Sequence, residues 1–261
     1  MIRPVVGRFK ALGQHSLEAA VRAAGIEVPP VWRDETGSTN DDAGRLAAQG
    51  APEWTVVAAG HQVGGRGRLG RSWSDVSGKA LMFSVVLRPE HDPDRAPLLS
   101  LLAAVDLISS VGSPRLRSKW PNDLVVGDRK VGGILVEARV AAGRVEHAVA
   151  GVGLNLSMEP KDFPPQVRNG ATSLRAEGIP ADPGSILSRF LATFRIPREP
   201  EEILAAYRPV CATLGRRVRA GTVGGQEVEG RAIDLDDRGG LVVETPDGPR
   251  HVGFGEVLHL R

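Results

Sequence analysis

Apolar positions recur along this chain with two periods, and the changes from one to the other predict its elements. Pro97 to Ile108 carries the clearest helical stripe, with Leu98, Leu101, Leu102, Val105 and Ile108 spaced three or four apart. A shorter helical pattern runs from about Ser16 to Ala24, with Ser16 as the expected N-cap and Gly25, then Pro29-Pro30, as the stop. A third starts at Ser38-Thr39-Asn40-Asp41 and brings Ala43, Leu46 and Ala47 onto one side before Gln49-Gly50. Gly184 to Phe194 and Glu201 to Tyr207 are also helical in pattern. Runs that are apolar throughout or alternate at every second residue predict strands at Val31–Arg33, Thr55–Ala59, Leu81–Leu87, Arg115–Trp120, Leu124–Val126, Gly132–Arg139 and His147–Asn155. Gly127-Asp128 reads as the turn of a hairpin, and residues 157–185, rich in Pro, Gly and charge, as a loop with Thr172-Ser173-Leu174 as a fixed island.

The pattern changes after Leu214. Arg217–Ala220, Gln226–Asp234, Gly240–Thr245, Arg250–Phe254 and Val257–Leu260 are short strand runs separated by Gly-rich turns, which predicts a small barrel-like module. Helices and strands without regular β-α-β alternation place the larger part in the α+β class. The expected division is an N-terminal helical extension over 1–30, a main domain over 31–212 and a small β-barrel over 213–261.

Composition adds limits. Of 261 residues, 41% are hydrophobic, enough to bury a core and to exclude wholesale disorder. Lys and Arg number 33 against 31 Asp and Glu, a net charge of +2 that gives no broad nucleic-acid footprint. The single cysteine, Cys211, excludes an internal disulfide and a cysteine zinc cluster. The six histidines show no metal-ligand spacing. No apolar run approaches the ~20 residues that span a bilayer. Met1 to Lys10 is already charged and lacks the apolar centre of a signal peptide. A cytoplasmic protein without a membrane partner is the expectation.

The densest chemistry lies in Gly64-Gly65-Arg66-Gly67-Arg68-Leu69-Gly70-Arg71-Ser72-Trp73. Glycines there allow turns and close backbone approach, and arginines add forked donors, so a phosphate or phosphate ester is the first candidate ligand. The same loop is also compatible with a solvated, mobile turn. Its G-x-G-x-x-G spacing fails as a dinucleotide fingerprint, because Arg71 to Gly78 has no apolar helical stripe. Lys119-Trp120-Pro121-Asn122-Asp123 ends a strand with five functional groups, although Pro-Asn-Asp is also ordinary turn chemistry. Arg129-Lys130-Val131-Gly132-Gly133 sets a lysine before two glycines where a ligand could approach the backbone, or where the lysine simply meets water. Gly151-Val152-Gly153-Leu154-Asn155 bares one strand face, for something flat or for tight strand packing. Ser38-Thr39-Asn40 either caps its helix or offers N–H and O–H groups to a compact polar ligand.

Together these segments resemble the biotin–protein ligase family, in the short form that lacks an N-terminal DNA-binding domain. The resemblance rests on Ser38-Thr39-Asn40, Gln62 followed by GGRGRLGRSW, KWPND over 119–123, RKVGGILVE over 129–137, GVGLNL over 151–156 and Ala171-Thr172-Ser173-Leu174. It spans about residues 33–195. It implies a class II synthetase-like mixed or antiparallel sheet with flanking helices, and an SH3-like C-terminal barrel. It implies ATP and biotin as substrates, Mg²⁺ with the ATP, and a biotinyl-5′-AMP intermediate attacked by one lysine of a biotin carboxyl carrier domain. Lys130, Arg68 and Arg66 are then the expected catalytic residues. Ser38, Thr39, Asn40, Gln62, Gly65, Arg66, Gly67, Arg68, Lys130 and Gly132 are expected around biotin. Arg68, Arg71, Trp73, Lys119, Asn122, Lys130 and Asn155 are expected around ATP. Asp123 is the candidate Mg²⁺ ligand, and a monomer or weak homodimer without nucleic-acid partners is expected. Lipoate–protein ligation, on a shared fold, and a non-catalytic biotin-binding regulator are the competing functions. The family often carries Ser-Pro after the tryptophan; this chain has Ser74-Asp75-Val76, which bears on how the loop closes.

Overall fold

The computed structural model describes residues 11–89, 93–195, 197–221, 227–253 and 255–260. Residues 1–10 of the expected N-terminal extension, His91, and the strand ends expected at Gln226 and Phe254 lie outside the described residues. Helix α1 (Gln14–Ala23) buries Leu17, Ala20 and Val21 and stops where Gly25 takes a φ of 71°. Ser16 is not its N-cap. Gly13 holds that position, and Ser16, one turn in, accepts the Gly13 N–H at 2.8 Å. A hydroxyl at the third helical position reaches back to an orphan donor as well as one at the cap reaches forward.

The chain continues through β1 (Val31–Arg33), α2 (Thr39–Ala48), β2 (Val56–Ala59), β3 (Ala80–Leu87), α3 (Ala96–Val111), β4 (Leu116–Lys119), β5 (Asp123–Val126), β6 (Arg129–Ala141), β7 (Arg144–Asn155), α4 (Pro183–Phe194) and α5 (Pro200–Tyr207). Seven strands form one sheet in the order β1-β2-β3-β7-β6-β5-β4. β1 pairs with β2 in parallel and every other pair is antiparallel, so the sheet is mixed, as the family resemblance implies.

Alternation on the strands decides which helices cover which face. Val56 and Ala58, then Leu81, Phe83, Val85 and Leu87, then Ala148, Ala150, Val152 and Leu154 join the core made with α1, α3, α4 and α5. The intervening Val57, Val86 and Val149 meet Ala43 and Ala47 of α2 on the other face. Central strands covered on both faces read as continuous apolar runs, which is why β3 is buried along its whole length. Its one polar residue, Ser84, is fully buried and must therefore be bonded.

The last strands, β8 (Arg217–Gly221), β9 (Glu227–Leu235), β10 (Leu241–Thr245), β11 (Gly248–Val252) and β12 (Glu256–His259), form an antiparallel sheet in the order β11-β10-β9-β8-β12. Pairing among the described residues leaves β11 and β12 at its edges. Val218, Ala220, Ala232, Leu241, Val243, Val252 and Val257 belong to the same buried core as the first sheet. Trp120, 1% exposed, sits at the junction and donates from Nε1 to Gly239 O at 2.9 Å. Among the described residues no helix is long and apolar enough to cross a membrane.

Candidate functional site

A cleft of about 320 Å³ opens between the start of α2, the loop over 62–73, the β4–β6 strand ends, β7 and the edge of β12. It brings together Ser38, Thr39, Asn40, Gln62, Arg66, Gly67, Arg68, Arg71, Trp73, Lys119, Asn122 and Lys130 from four separate sequence segments. Gly65, Gly132 and Asn155 do not line it. A Cβ on Gly132 would stand 2.7 Å from Gly153 O, so this glycine serves the approach of β6 to β7, while its neighbour Gly133 lines the cleft. Gly65 packs beneath Trp73 and Gln62. Asn155 is buried, and its Nδ2 donates to Thr172 O at 3.0 Å.

One end of the cleft is rich in paired amide and hydroxyl donors and acceptors. Gln62 Oε1 accepts from Thr39 N at 2.7 Å and from Thr39 Oγ1 at 3.0 Å, which fixes the amide so that Nε2 remains for the cleft. Asn40 Nδ2 donates to Leu135 O at 3.2 Å and Glu137 Oε2 at 2.8 Å. Its Oδ1 therefore faces Ser84, whose hydroxyl donates to it at 2.7 Å and lies 2.8 Å from Thr39 Oγ1. The alternate glycines of β7 make room for these groups. A Cβ on Gly151 would stand 1.9 Å from Asn40 Oδ1, and one on Gly153 would stand 2.7 Å from the Trp73 ring. The flat objects over the bare strand face are thus an amide and an indole of the chain itself. Trp73 Nε1 is buried without a hydrogen-bond partner in the structure.

The Gly/Arg segment forms a small hairpin rather than an open coil. Gly67 N donates to Arg71 O at 2.7 Å and Trp73 N to Gly65 O at 2.8 Å. Its tip turns at Leu69 and Gly70, with φ of 55° and 73°, a left-handed pair that glycine tolerates and leucine seldom adopts. Arg66 grips Glu137 at 3.0 and 3.1 Å and Asp41 at 2.5 Å. Arg68 donates to Gly255 O at 3.1 Å, and Arg71 pairs with Glu256. Burial lowers the Arg68 pKa; Asp123 and Glu256 oppose this and Arg71 adds to it, and a guanidinium keeps its charge throughout.

The other end is cationic. Lys130 Nζ pairs with Asp123 Oδ1 at 2.5 Å, and a Cβ on Gly133 would stand 3.5 Å from that ammonium. Burial pushes Lys119 below the usual lysine value; Asp123 opposes the shift and Lys130 adds to it. The Lys130 backbone is held on both sides: its N–H donates to Gly170 O at 2.7 Å and its C=O accepts from Thr172 N at 2.8 Å. Thr172 Oγ1 donates to Glu177 at 2.7 Å, and Glu177 also pairs with Arg129 at 2.5 Å. The island expected at Thr172-Ser173-Leu174 thus braces the lysine strand. Among the described residues no group of three or more His, Cys, Asp or Glu is placed to hold a metal ion.

The second sheet meets the Lys119 strand through His259. Arg216 only donates, and it lies 3.3 Å from His259 Nδ1, so Nε2 carries the proton and gives it to Thr213 Oγ1 at 3.0 Å. Thr213 Oγ1 also accepts from Trp120 N at 3.0 Å. Burial, Lys119 and Arg216 hold the His259 pKa down to about 4. The unfolded chain takes up a proton near the ordinary histidine value, about 6.5, before the folded chain does. This seam therefore contributes full stability above that value and loses it as pH falls toward 4. Thermal melts from pH 7 to pH 4.5 should show a steeper loss for the wild-type chain than for His259→Gln; parallel curves would remove this role.

Glu137, Asp41, Ser84, Glu177 and the Gly255-Glu256 pair are functional neighbours that the motif reading misses. Ser84 carried a signal, as a lone hydroxyl in an otherwise apolar strand. The acids carried none, because each meets its arginine only through long-range folding.

Residues 34–155 match the biotin/lipoate A/B protein ligase family, and residues 213–260 match the biotin protein ligase C-terminal domain. A biotin–[acetyl-CoA-carboxylase] ligase of Mycobacterium tuberculosis is 39% identical over 249 residues, 88% of this chain and 90% of its own length. One from Paracoccus denitrificans is 32% identical over 85% of this chain and 97% of its own length. The bifunctional ligase/repressor of Bacillus subtilis is 32% identical over 87% of this chain and 73% of its own length. The structure of a biotin protein ligase from Aquifex aeolicus, in complex with biotin and ATP, shares the fold with a TM-score of 0.68 at 24% identity, over 88% of this chain and 99% of that one.

Proposed function

The chain belongs to the biotin–protein ligase family, and from that membership we propose how its cleft divides the work of the reaction. The activity is ATP-dependent ligation of biotin to a lysine of a carboxylase's biotin carrier domain. A carboxylate oxygen of biotin attacks the α-phosphorus of ATP, and the bond to pyrophosphate breaks. The carrier amine then attacks the acyl carbon of biotinyl-5′-AMP, forms the amide and expels AMP.

The first step brings two anions together, so fixed cations aimed at the developing charge are the natural catalysts. Lys130 holds the biotin carboxylate and the bridging phosphoryl oxygen, exchanging Asp123 for the ligand. Arg68 and Arg66 close over the adenylate and keep water from a hydrolysable anhydride. Ser38, Thr39, Asn40 and Gln62 take the uncharged ureido ring, which needs both donors and acceptors, with Gly67 giving backbone access. Arg71, Trp73, Lys119 and Asn122 lie on the nucleotide side, where the unpartnered Trp73 Nε1 awaits an acceptor. Gly65, Gly132 and Asn155 support these groups from behind. One observation carries this reading: neutral paired groups at one end of a single cleft face Lys130, Lys119 and Arg68 at the other.

Mg²⁺ belongs to the same proposal as the partner of ATP. It ordinarily binds through phosphates, waters and one or two carboxylates, and Asp123 is the carboxylate beside Lys130. The chain works in the cytoplasm as a monomer or weak homodimer, on a carrier protein and not on nucleic acid. The division into a main domain over 31–212 and a C-terminal module over 213–261 is supported by the family match that begins at residue 213.

The test is transfer of biotin to a purified carrier domain with Mg-ATP. Labelling should require biotin, ATP and the carrier's target lysine; transfer of lipoate but not biotin would overturn the reading. Arg68→Gly should still adenylate biotin but release the intermediate, so that lysines of unrelated proteins become biotinylated. Labelling confined to the carrier in that variant would remove the retaining role of Arg68.

A further inference from the structure

The arginine hairpin over 64–73 rises from a base formed by its two stems, and Asp75 lies at that base. Its carboxylate is fully buried. Oδ2 lies 2.9 Å from His61 Nδ1, and Oδ1 accepts from Gln62 N at 3.2 Å. Backbone bonds join the two stems below, from Gly78 N to Gly60 O at 3.1 Å, and above, from Trp73 N to Gly65 O at 2.8 Å. Between these rungs the stems are joined by the Asp75 side chain. On its other side the same segment is fixed by Thr36, which donates to His61 O at 3.1 Å and accepts from Val63 N at 2.9 Å. Gln62 is thereby held by its backbone between Thr36 and Asp75, while its side chain reaches Thr39.

We propose that Asp75 is a positioning residue: it clasps the two stems of the arginine hairpin and holds Gln62 at the angle that presents its amide to the biotin ring. The carboxylate replaces a missing backbone rung and accepts from both stem residues. Removing it would leave the buried Gln62 N–H unpaired, take away the partner of the partly exposed His61 ring, and leave Gln62 free to drift. Drift costs ring binding; the phosphoryl end, organised by Lys130 on another strand, keeps its geometry.

The inference rests on Gln62 as a ligand of biotin, and the experiment separates the two. Biotin affinity by titration calorimetry, and adenylation at saturating biotin and ATP, are measured for the wild-type chain, Asp75→Ala and Asp75→Asn. Asp75→Ala should bind biotin about tenfold more weakly, the scale of one hydrogen bond to a charged group, with a saturated rate within about threefold of wild type. Asp75→Asn, which keeps an oxygen facing Gln62 N, should return the affinity to within about threefold. A purely architectural role would lower the melting temperature without this split and without the rescue. If Asp75→Ala does not fold, Asp75→Ser, polar but one atom too short to span the stems, carries the same expectation. A folded Asp75→Ala that binds biotin like wild type, or an Asp75→Asn as weak as alanine, overturns the proposal alone. A wild-type chain that does not bind biotin overturns the role of Gln62 and this proposal with it.

Discussion

Lys130→Ala should adenylate biotin roughly 10²–10³-fold more slowly than the wild-type chain, the scale for removing one charge-stabilising donor from a preorganised site. The loss is expected in the rate at saturating substrate, because the ammonium matters most when charge builds at phosphorus. Two features of the structure sharpen this. The Lys130 backbone is pinned between Gly170 O and Thr172 N, so the ammonium is delivered by a braced strand. Its partner Asp123 stays behind in the variant, and an uncompensated carboxylate beside an incoming carboxylate adds repulsion. Lys130→Ala with Asp123→Ala should therefore recover part of the rate. Lys130→Arg should recover little, since a planar fork does not occupy the place of a point charge. Pyrophosphate release in a single turnover measures all three, and near-normal release from Lys130→Ala would contradict the assignment.

Gly151→Ala should raise the dissociation constant for biotin about 30–100-fold while leaving ATP binding nearly intact. A Cβ at 1.9 Å from Asn40 Oδ1 cannot coexist with that side chain. Asn40 must leave, and with it go the bonds to Ser84, Leu135 and Glu137 that order this end of the cleft. Losing two or three buried hydrogen bonds is worth about 2–3 kcal/mol, and each 1.4 kcal/mol is tenfold in affinity. Gly153→Ala, two residues along the same strand face, should do the reverse. Its Cβ meets the Trp73 ring at 2.7 Å and lifts the indole, so ATP binding weakens and biotin binding holds. Titration of each folded variant with each ligand checks the crossing pattern. Equal losses of both ligands in both variants would mean that the two ends of the cleft are not separate subsites.

Periodicity made most of the architecture legible. α3 showed through its leucines at helical spacing, although small and polar residues such as Ala103, Ala104 and Ser110 between them are buried as well, and β3 showed as an unbroken apolar run because helices cover both its faces. The turn at Gly127, with φ of 61°, followed from Gly-Asp between two strand runs. The start of α1 did not follow, since a serine inside the first turn satisfies the same orphan donors as one outside it. In the site, the alternate glycines of β7 predicted a flat object, but not that it would be the chain's own Asn40 and Trp73. Gly132 looked like a place for ligand approach and instead admits a neighbouring strand. The acids that hold the arginines, Asp41, Glu137 and Glu256, left no local pattern, because an ion pair formed by chain crossover has no spacing to read. Asp75 stood out only as a departure from a familiar motif; its work became visible once the two stems of the hairpin lay side by side.

The most direct test is mass spectrometry of the protein incubated with biotin and Mg-ATP, then separated rapidly from free ligand. Wild type should retain one biotinyl-5′-AMP per chain, Arg68→Gly should form it and lose it, and Lys130→Ala should scarcely form it. A wild-type chain that releases pyrophosphate but holds no adenylate, or a Lys130→Ala chain loaded like wild type, would contradict the account.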